Sequence, residues 1–409
     1  MSEDQGVRGR EAGPAPRIVF FSSAHPPFDK RVYDKEALSL ARAGFEVIHV
    51  CPADAPVASR PGDGVEIRAV PRARGRWWRP RTLLRSAKAV AALKPDAIHC
   101  NEVDSWFVGA FLAKATGARC VFDAHEDYSA MVVERAPRRA RALVRAIYAA
   151  CVRVAAALTW KIVLAKHSIA EDYRFCADKL LTVSNYGPIH TADRLRPPEA
   201  SGGPVRLVHL GLIGRLRGWP QLLEAMRLCA DLDLKLNVVG EFNDESEQEF
   251  WAEVDRLDLR DRIRFEAWLP YDEAYALLLE SDIGLVLFQP GPRNHERALP
   301  HKMFDYMMAQ NALIAPAFAV EVAEIVRWSD AGLLVDPSDA GAVAAAIRTL
   351  AADPERRRAY GASGRRAVLE RYNWDAEARK LVAMYSELRT RGSQAAPGTR
   401  RLVGSSAGS

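Results

Sequence analysis

Thiols are few and scattered in this 409-residue chain. Cys51, Cys100, Cys120, Cys151, Cys176 and Cys229 form no CxxC pair and share no regular spacing. Zinc centres and disulfide scaffolds need clustered thiols, so the pattern argues against both and predicts free thiols in a reducing cytoplasm. Most of them read as small core residues. Long apolar runs are missing as well. The best stretch, 143–165, is interrupted by Arg145, Arg153 and Lys161, which speaks against a membrane span. Residues 1–16 are Gly, Pro and charge without the apolar core of a signal peptide. They and the similar end, 392–409, are expected to be disordered tails without a chemical role. Charge of one sign is also in short supply: a formal +5 is small for this length and argues against a nucleic-acid surface.

What the chain does have is alternation. Apolar runs such as Ile18-Val-Phe-Phe21 are followed by helical segments that stop at glycine and restart as strands, as at Gly44 before Glu46-Val-Ile-His-Val-Cys51. These are the signals of βαβ units. Strands are expected at 65–70, 97–99 and 120–123, with helices at 29–43, 82–93 and 106–116. After a stretch rich in Pro, Gly and polar residues, 188–204, the series restarts with strands at 205–210, 235–239, 263–265, 283–287, 312–315 and 332–335. Helices are expected at 221–229, 245–257, 271–280, 302–309 and 339–352. Two α/β domains with parallel sheets follow, 17–187 and 205–372, joined by the linker 188–204. Ligands of such sheets sit beyond the carboxyl ends of the strands, so two such edges facing a central cleft could hold a pair of substrates. A last helix near 375–389, after Tyr372-Asn-Trp374, comes once the second sheet is complete.

Several segments, in this order and spacing, carry a resemblance. They are His25-Pro-Pro-Phe-Asp29-Lys-Arg31-Val, Glu36 to Gly44, Val121-Phe-Asp-Ala-His125-Glu126, Leu181-Thr-Val-Ser-Asn185, Leu210-Gly211-Leu-Ile-Gly214-Arg215-Leu-Arg217-Gly218 and Asn294 to Met307. Over 17–391 the chain resembles the family 4 retaining glycosyltransferases. The resemblance implies the GT-B fold, two Rossmann-like doubly wound domains facing a central cleft. The first would bind the acceptor and the second the donor, with 373–391 crossing back to the first domain. It also implies transfer of a sugar from a nucleoside-diphosphate sugar to a glycan, glycolipid or small-molecule acceptor, in cell-surface polysaccharide or glycoconjugate synthesis.

The loop Gly211 to Gly218 lies between a strand and a helix, so its N–H groups can face an anion, and Arg215 and Arg217 add guanidinium donors. By themselves these residues also fit an ordinary βα turn. The family usually places Arg directly after the first glycine, where Leu212 stands here. The resemblance assigns donor binding to Gly211, Gly214, Arg215, Arg217, Lys302 and Asp305, with Asp305 on the ribose. The family's first acid position is occupied by Arg297, which leaves the neighbouring Glu296 as the candidate. His125, with Glu296, is assigned a catalytic place against the donor sugar. His25, Asp29, Arg31, Asn101 and Glu102 fall on the acceptor side. Pro26-Pro27 replace the family's two glycines there, so that backbone cannot approach a phosphate in the usual way.

No DxD-like carboxylate cluster occurs at the ligand-facing strand ends of the second half, while the basic loop offers donors to a diphosphate. Metal-independent transfer is expected, without a cofactor, the nucleotide sugar being a co-substrate. The family implies retention, with front-face attack and the donor phosphate taking the acceptor proton. Arg138, Arg141 and Arg145 recur three and four apart on one helix face. They read either as a solvated face or as a peripheral contact with the inner membrane surface that would reach a lipid-linked acceptor. Two alternatives stay open at this level: a nucleotide-sugar epimerase, and a non-catalytic partner protein of the same fold.

Overall fold

The structure, a computed structural model, describes residues 14–73, 78–125, 128, 132–133, 136–187, 189 and 203–394, side chains of 390–394 excepted. The expected linker 188–204, save residues 189, 203 and 204, and most of both expected tails lie outside the described residues, as do Glu126 and Asp127. Two compact units emerge, one of Met1–Ala124, Ala150–Ile162 and Ala378–Ser409, the other of His125–Ala149 and Val163–Glu377.

In the first unit the strands Arg17–Phe21 (β1), Glu46–Ala53 (β2), Val65–Pro71 (β3), Ala97–Cys100 (β4) and Arg119–Ala124 (β5) pair in parallel. Their spatial order is β3-β2-β1-β4-β5. Val19 of β1 stands opposite Ile48 on one side and Ile98 on the other, and all three are buried. Apolar residues on both faces are what a parallel strand covered by helices demands. Over β5 the helix Val103–Thr116 stacks Trp106 flat on Phe122, with ring centroids 4.0 Å apart. The indole N–H of Trp106 donates to Thr159 Oγ1 at 2.8 Å, so the large ring is buried with its polar atom satisfied.

Two further strands, Lys161–Leu164 (β6) and Leu180–Thr182 (β7), precede the second series. That series is Val205–Leu210 (β8), Leu234–Val239 (β9), Ile263–Glu266 (β10), Ile283–Leu285 (β11), Ala312–Pro316 (β12) and Gly332–Val335 (β13). It forms a six-stranded parallel sheet in the order β10-β9-β8-β11-β12-β13. Leu207, Leu236, Ile283 and Ile314 pack with Leu222, Leu223 and Met226 on one face. Val208, Val286 and Leu313 pack with Phe304, Tyr306 and Met307 on the other.

Both units are therefore Rossmann-like α/β layers, as the alternation of apolar runs predicts. Their topologies share one feature that places the chemistry. In each sheet the chain walks outward on one side of its first strand and then returns to the other side, so the crevice opens between β1 and β4, and between β8 and β11. The loops after those four strands are where ligands are to be sought.

The final helix, Trp374–Gln394, contributes its residues from Ala378 onward to the first unit. Tyr385 of that helix is fully buried and its hydroxyl lies 2.8 Å from His99 Nδ1 in β4. Arg389 donates to the carbonyls of Ala43 and Gly44 and covers the Phe45 ring at 4.2 Å.

Candidate functional site

The loop after β8 is held from three sides. Its Gly211 has φ +95°, a conformation glycine reaches without strain, and its N–H donates to Val239 O at 2.7 Å. Gly240, with φ +152°, comes so close that a Cβ there would overlap the Gly211 carbonyl. A side chain at Gly214 would meet Asn243 Oδ1 and Asp244 Oδ2, and one at Gly218 would overlap the Leu287 carbonyl. The glycines thus let this loop pack against the loops after β9 and β11. Gln289, beyond β11, donates its N–H to Leu216 O at 2.9 Å and ties the two crevice loops together.

Behind the loop stands the helix His301–Met308. Met303, Phe304, Tyr306, Met307 and Met308 are buried, whereas Lys302 and Asp305, three apart, share the half-buried side. The buried Tyr306 ring lies against Gly284, where a Cβ would overlap it, and its oxygen accepts the Leu210 N–H at 2.7 Å. That bond fixes the end of β8 where the glycine loop starts. Tyr306→Phe leaves this N–H without its acceptor and is expected to lower unfolding free energy by about 1–3 kcal/mol. Denaturant titration of the two proteins measures it, and an unchanged midpoint would refute the assignment.

The charged groups converge here. Lys302 Nζ lies 3.4 Å from His209 Nε2, and the same nitrogen is 3.1 Å from Leu212 O. An Nε2–H donated to Leu212 leaves no lone pair there for an ammonium. Burial, with a smaller push from Arg217, brings the Lys302 ammonium down to about 7. Burial, then Lys302, pushes His209 down to about 3. His295, whose Nδ1 is 2.6 Å from Gln289 O, is lowered by burial and again by Arg217. Two cationic side chains and two imidazoles that resist protonation make a cluster of positive potential fit for an anion. Asp305, one turn after Lys302, accepts the Tyr271 hydroxyl at 3.0 Å.

Other residues of this unit are placed differently. Arg215 forms an ion pair with Glu249, its N–H donates to Asp244 at 2.6 Å, and its guanidinium lies 5.9 Å from the Trp219 ring. Glu296 is exposed at the end of the short helix Arg293–Glu296. Arg297 turns inward to Asp172 at 2.6 Å and is buried, so the position that carries the family's first acid serves here as an internal cation. His125 follows β5 directly and is half-buried.

In the first unit the loop after β1 is organised by Glu102, at the end of β4. Its carboxylate accepts the N–H groups of Ser23, Ala24 and His25 and contacts His25 Nδ1 at 2.7 Å. Burial alone would raise the Glu102 carboxyl, but His25 and the loop amides hold it down at about 2. Burial likewise opposes a charge on His25, yet Glu102 raises its pKa above the ordinary value. Asn101 donates to Ser22 Oγ at 2.8 Å, and that oxygen lies 2.9 Å from His49 Nε2. Asp29 accepts the N–H groups of Arg31 and Val32 and so caps the π-helical turn Val32–Ala37.

Arg31 is buried. It makes a two-pronged contact with Asp123, at 2.9 and 2.8 Å, and reaches Glu36 at 2.9 Å. Glu36 lies 3.3 Å from His99, which in turn meets Tyr385. Glu36, His99 and Asp123 are near enough to share a metal ion, but the guanidinium already bridges the two carboxylates. Among the expected residues the crevice loops therefore bring together Gly211, Gly214, Arg217, Lys302 and Asp305 in one unit, and His25, Asn101 and Glu102 in the other. The motifs did not single out His209, His295, Tyr271 and Tyr306. A histidine two residues before the first loop glycine was the one available signal.

Comparison with known proteins places this geometry. Residues 34–174 match the family described as Glycosyl transferase 4-like domain, and residues 217–383 match Glycosyl transferase-like. Among solved structures, Anabaena Alr3699/HepE in complex with UDP is similar over 91% of this chain and 100% of its own, at 14% identity and TM-score 0.68. Sucrose-phosphate synthase from Thermosynechococcus elongatus is similar over 92% and 100%, at 19% identity and TM-score 0.68. A glycosyltransferase from Rickettsia africae is similar over 92% and 99%, at 16% identity and TM-score 0.70. No curated protein matches the sequence.

Proposed function

Because the chain belongs to the glycosyltransferases of GT-B fold, with a glycosyl transferase 4-like domain and a glycosyl transferase-like domain, we propose that it moves a sugar from a nucleoside-diphosphate sugar to an acceptor. The observation that carries the donor half of this reading is the closeness of Lys302 and His209 beneath the glycine loop, within the field of Arg217. A diphosphate there meets two cations. Asp305, one helical turn on and bonded to Tyr271, offers its carboxylate to the ribose hydroxyls.

In the transfer, the bond between the anomeric carbon and the donor phosphate breaks, and negative charge grows on the leaving diphosphate. Arg217 and Lys302 supply the positive charge that a divalent ion supplies elsewhere, so the reading is metal-independent and needs no cofactor. The acceptor oxygen attacks from the face the diphosphate leaves, which retains configuration, and the departing phosphate oxygen takes its proton. His125 and Glu296 are the proposed contacts to the sugar, and His25 with its Glu102-braced loop the proposed acceptor side. The Anabaena protein of this fold is seen with UDP and with UDP-glucose, which supports uridine diphosphate sugars as the first donors to try. A lipopolysaccharide outer core galactosyltransferase shares the fold, in keeping with an acceptor in cell-surface glycoconjugate synthesis on the cytoplasmic side.

The test is the melting temperature of the purified protein against a panel of nucleoside diphosphates and nucleotide sugars in EDTA, repeated with Asp305→Ala. A ligand at about 100 times its dissociation constant stabilises by about 2.7 kcal/mol. The expected result is a rise with one nucleotide that largely disappears in the variant. Absence of any rise across the panel would overturn the reading and leave a non-catalytic protein of this fold.

A further inference from the structure

The half-buried His295 stands in the short helix Arg293–Glu296, which follows β11 and the buried Gln289. Its Nδ1 lies 2.6 Å from the Gln289 carbonyl oxygen. Two lone pairs do not face each other at that distance, so Nδ1 carries a proton and donates it. The carbonyl it meets is itself held in place. The Gln289 N–H donates to Leu216 O at 2.9 Å, and its side-chain amide donates to Leu287 O at 2.8 Å and to Pro337 O at 3.0 Å. The buried Phe288 makes a T-shaped contact with the imidazole, centroids 5.3 Å apart, and another with Phe318 at 5.8 Å. Burial, and then Arg217, hold the imidazole below its ordinary pKa, so a second proton is disfavoured. The outcome is a fixed, neutral ring whose Nε2 presents a lone pair.

A hydrogen-bond acceptor is out of place among groups that bind a diphosphate. Every oxygen of the diphosphate is an acceptor too, and Arg217 and Lys302 meet it with donors. Nε2 needs a partner that gives a hydrogen. Of its neighbours, Arg297 is engaged with Asp172 at 2.6 Å and Glu296 is exposed at the helix end, so His295 supplies a half-buried acceptor in this turn. We propose that His295 Nε2 accepts a hydrogen bond from a hydroxyl of the donor sugar and so selects which nucleotide sugar this protein uses. The inference rests on the donor reading above and deepens it: Arg217 and Lys302 hold the diphosphate, and His295 reads the sugar attached to it. A sugar without a hydroxyl at that position leaves the lone pair of Nε2 unmatched, and the site discriminates against it.

The experiment is titration calorimetry of the full chain without acceptor. Its probes are the nucleoside diphosphate and the nucleotide sugar that raise the melting temperature most, UDP and UDP-glucose being the first pair. A series of analogues, each with one sugar hydroxyl replaced by fluorine, is measured beside them. In the wild-type protein one analogue is expected to bind about tenfold more weakly than the parent, because fluorine cannot donate. His295→Phe keeps a ring against Phe288 but has no acceptor. It is expected to bind the free diphosphate within about twofold of wild type, to lose about tenfold against the nucleotide sugar, and to bind that one analogue as well as the parent. His295→Gln, whose amide oxygen reaches the place of Nε2, should recover most of the loss. Unaltered melting temperatures of the unliganded variants check the fold. A wild-type protein that binds the nucleotide sugar but ignores every fluorine replacement would overturn the proposal. So would a phenylalanine variant that loses diphosphate and nucleotide sugar alike, or neither. Failure of the wild type to bind any nucleotide strikes the donor reading itself, and this inference with it.

Discussion

Lys302→Met is expected to lower kcat/KM for sugar transfer by about two to three orders of magnitude, the loss typical of removing one fixed group that stabilises a leaving oxyanion. Stability should respond in the opposite direction. In the unliganded protein the ammonium is depressed to about 7 by burial and by Arg217, and His209 Nε2 lies 3.4 Å from it. Replacing it with an apolar chain of similar length removes a buried cation that has no carboxylate partner among the described residues, so the melting temperature should stay level or rise. A group that served only the fold would show the reverse pattern, with stability lost and kcat kept.

The same residue makes nucleotide affinity depend on pH, with a definite sign. The free protein loses the Lys302 proton as pH rises through about 7. A bound diphosphate favours the ammonium, so the pKa in the complex is higher than in the free protein. Affinity is then fully present below about pH 7 and falls as pH increases, by roughly tenfold per pH unit until the pKa of the complex is reached. Between those limits binding takes up close to one proton, which calorimetry in two buffers of different ionisation enthalpy measures directly. A nucleotide affinity that is flat from about pH 6 to 9 would sink the assignment of Lys302 to the diphosphate.

Arg31→Met is expected to have the largest effect on folding. Arg31 is the cation shared by Asp123 and Glu36, all three being buried, with His99 and Tyr385 completing the chain of contacts. Removing it leaves two buried carboxylates without their cation, a loss of about 3–5 kcal/mol and roughly 6–20 °C in melting temperature. Adding Asp123→Asn to the variant should recover part of that loss, because one of the stranded charges is then gone. A fall no larger than the roughly 0.5 kcal/mol of an ordinary surface substitution would show that Arg31 is not an internal ion partner.

The layers were legible because period and punctuation were unambiguous. Apolar runs ended by glycine or polar turns located the strands, and eleven of them differ from expectation only at their ends. Two did not announce themselves. Lys161–Leu164 follows an alanine-rich helix without a glycine stop, and Leu180–Thr182 is only three residues long. The helices Val320–Ser329 and Pro354–Glu370 were likewise not anticipated. The many arginines of the latter weaken its apolar stripe, and Arg357 and Arg365 are buried by donating to the carbonyls of Leu350 and Met308.

Within the site, the residues that sequence placed best are those whose role is fixed locally. Gly211, Gly214 and Gly218 are required by the turn after β8 whatever lies beyond it. Lys302 and Asp305 share a helix face by virtue of their spacing alone. The partners of the remaining charged residues are another matter. Arg31 meets Asp123 ninety-two positions away, Glu102 gathers amides seventy-seven to seventy-nine positions upstream, and Arg297 finds Asp172 across one hundred and twenty-five. An acid or an arginine at a strand end reads the same in sequence whether it awaits a ligand or satisfies a neighbour. The sequence by itself determined the two parallel sheets, the glycine loop and the helix behind it, because periodicity and backbone freedom are local properties. Only the tertiary structure decided which charges pair within the fold, as Arg31 does with Asp123 and Arg297 with Asp172, and which groups gather around Lys302. Desolvation and pairing are set by neighbours that folding, not chain order, brings within reach.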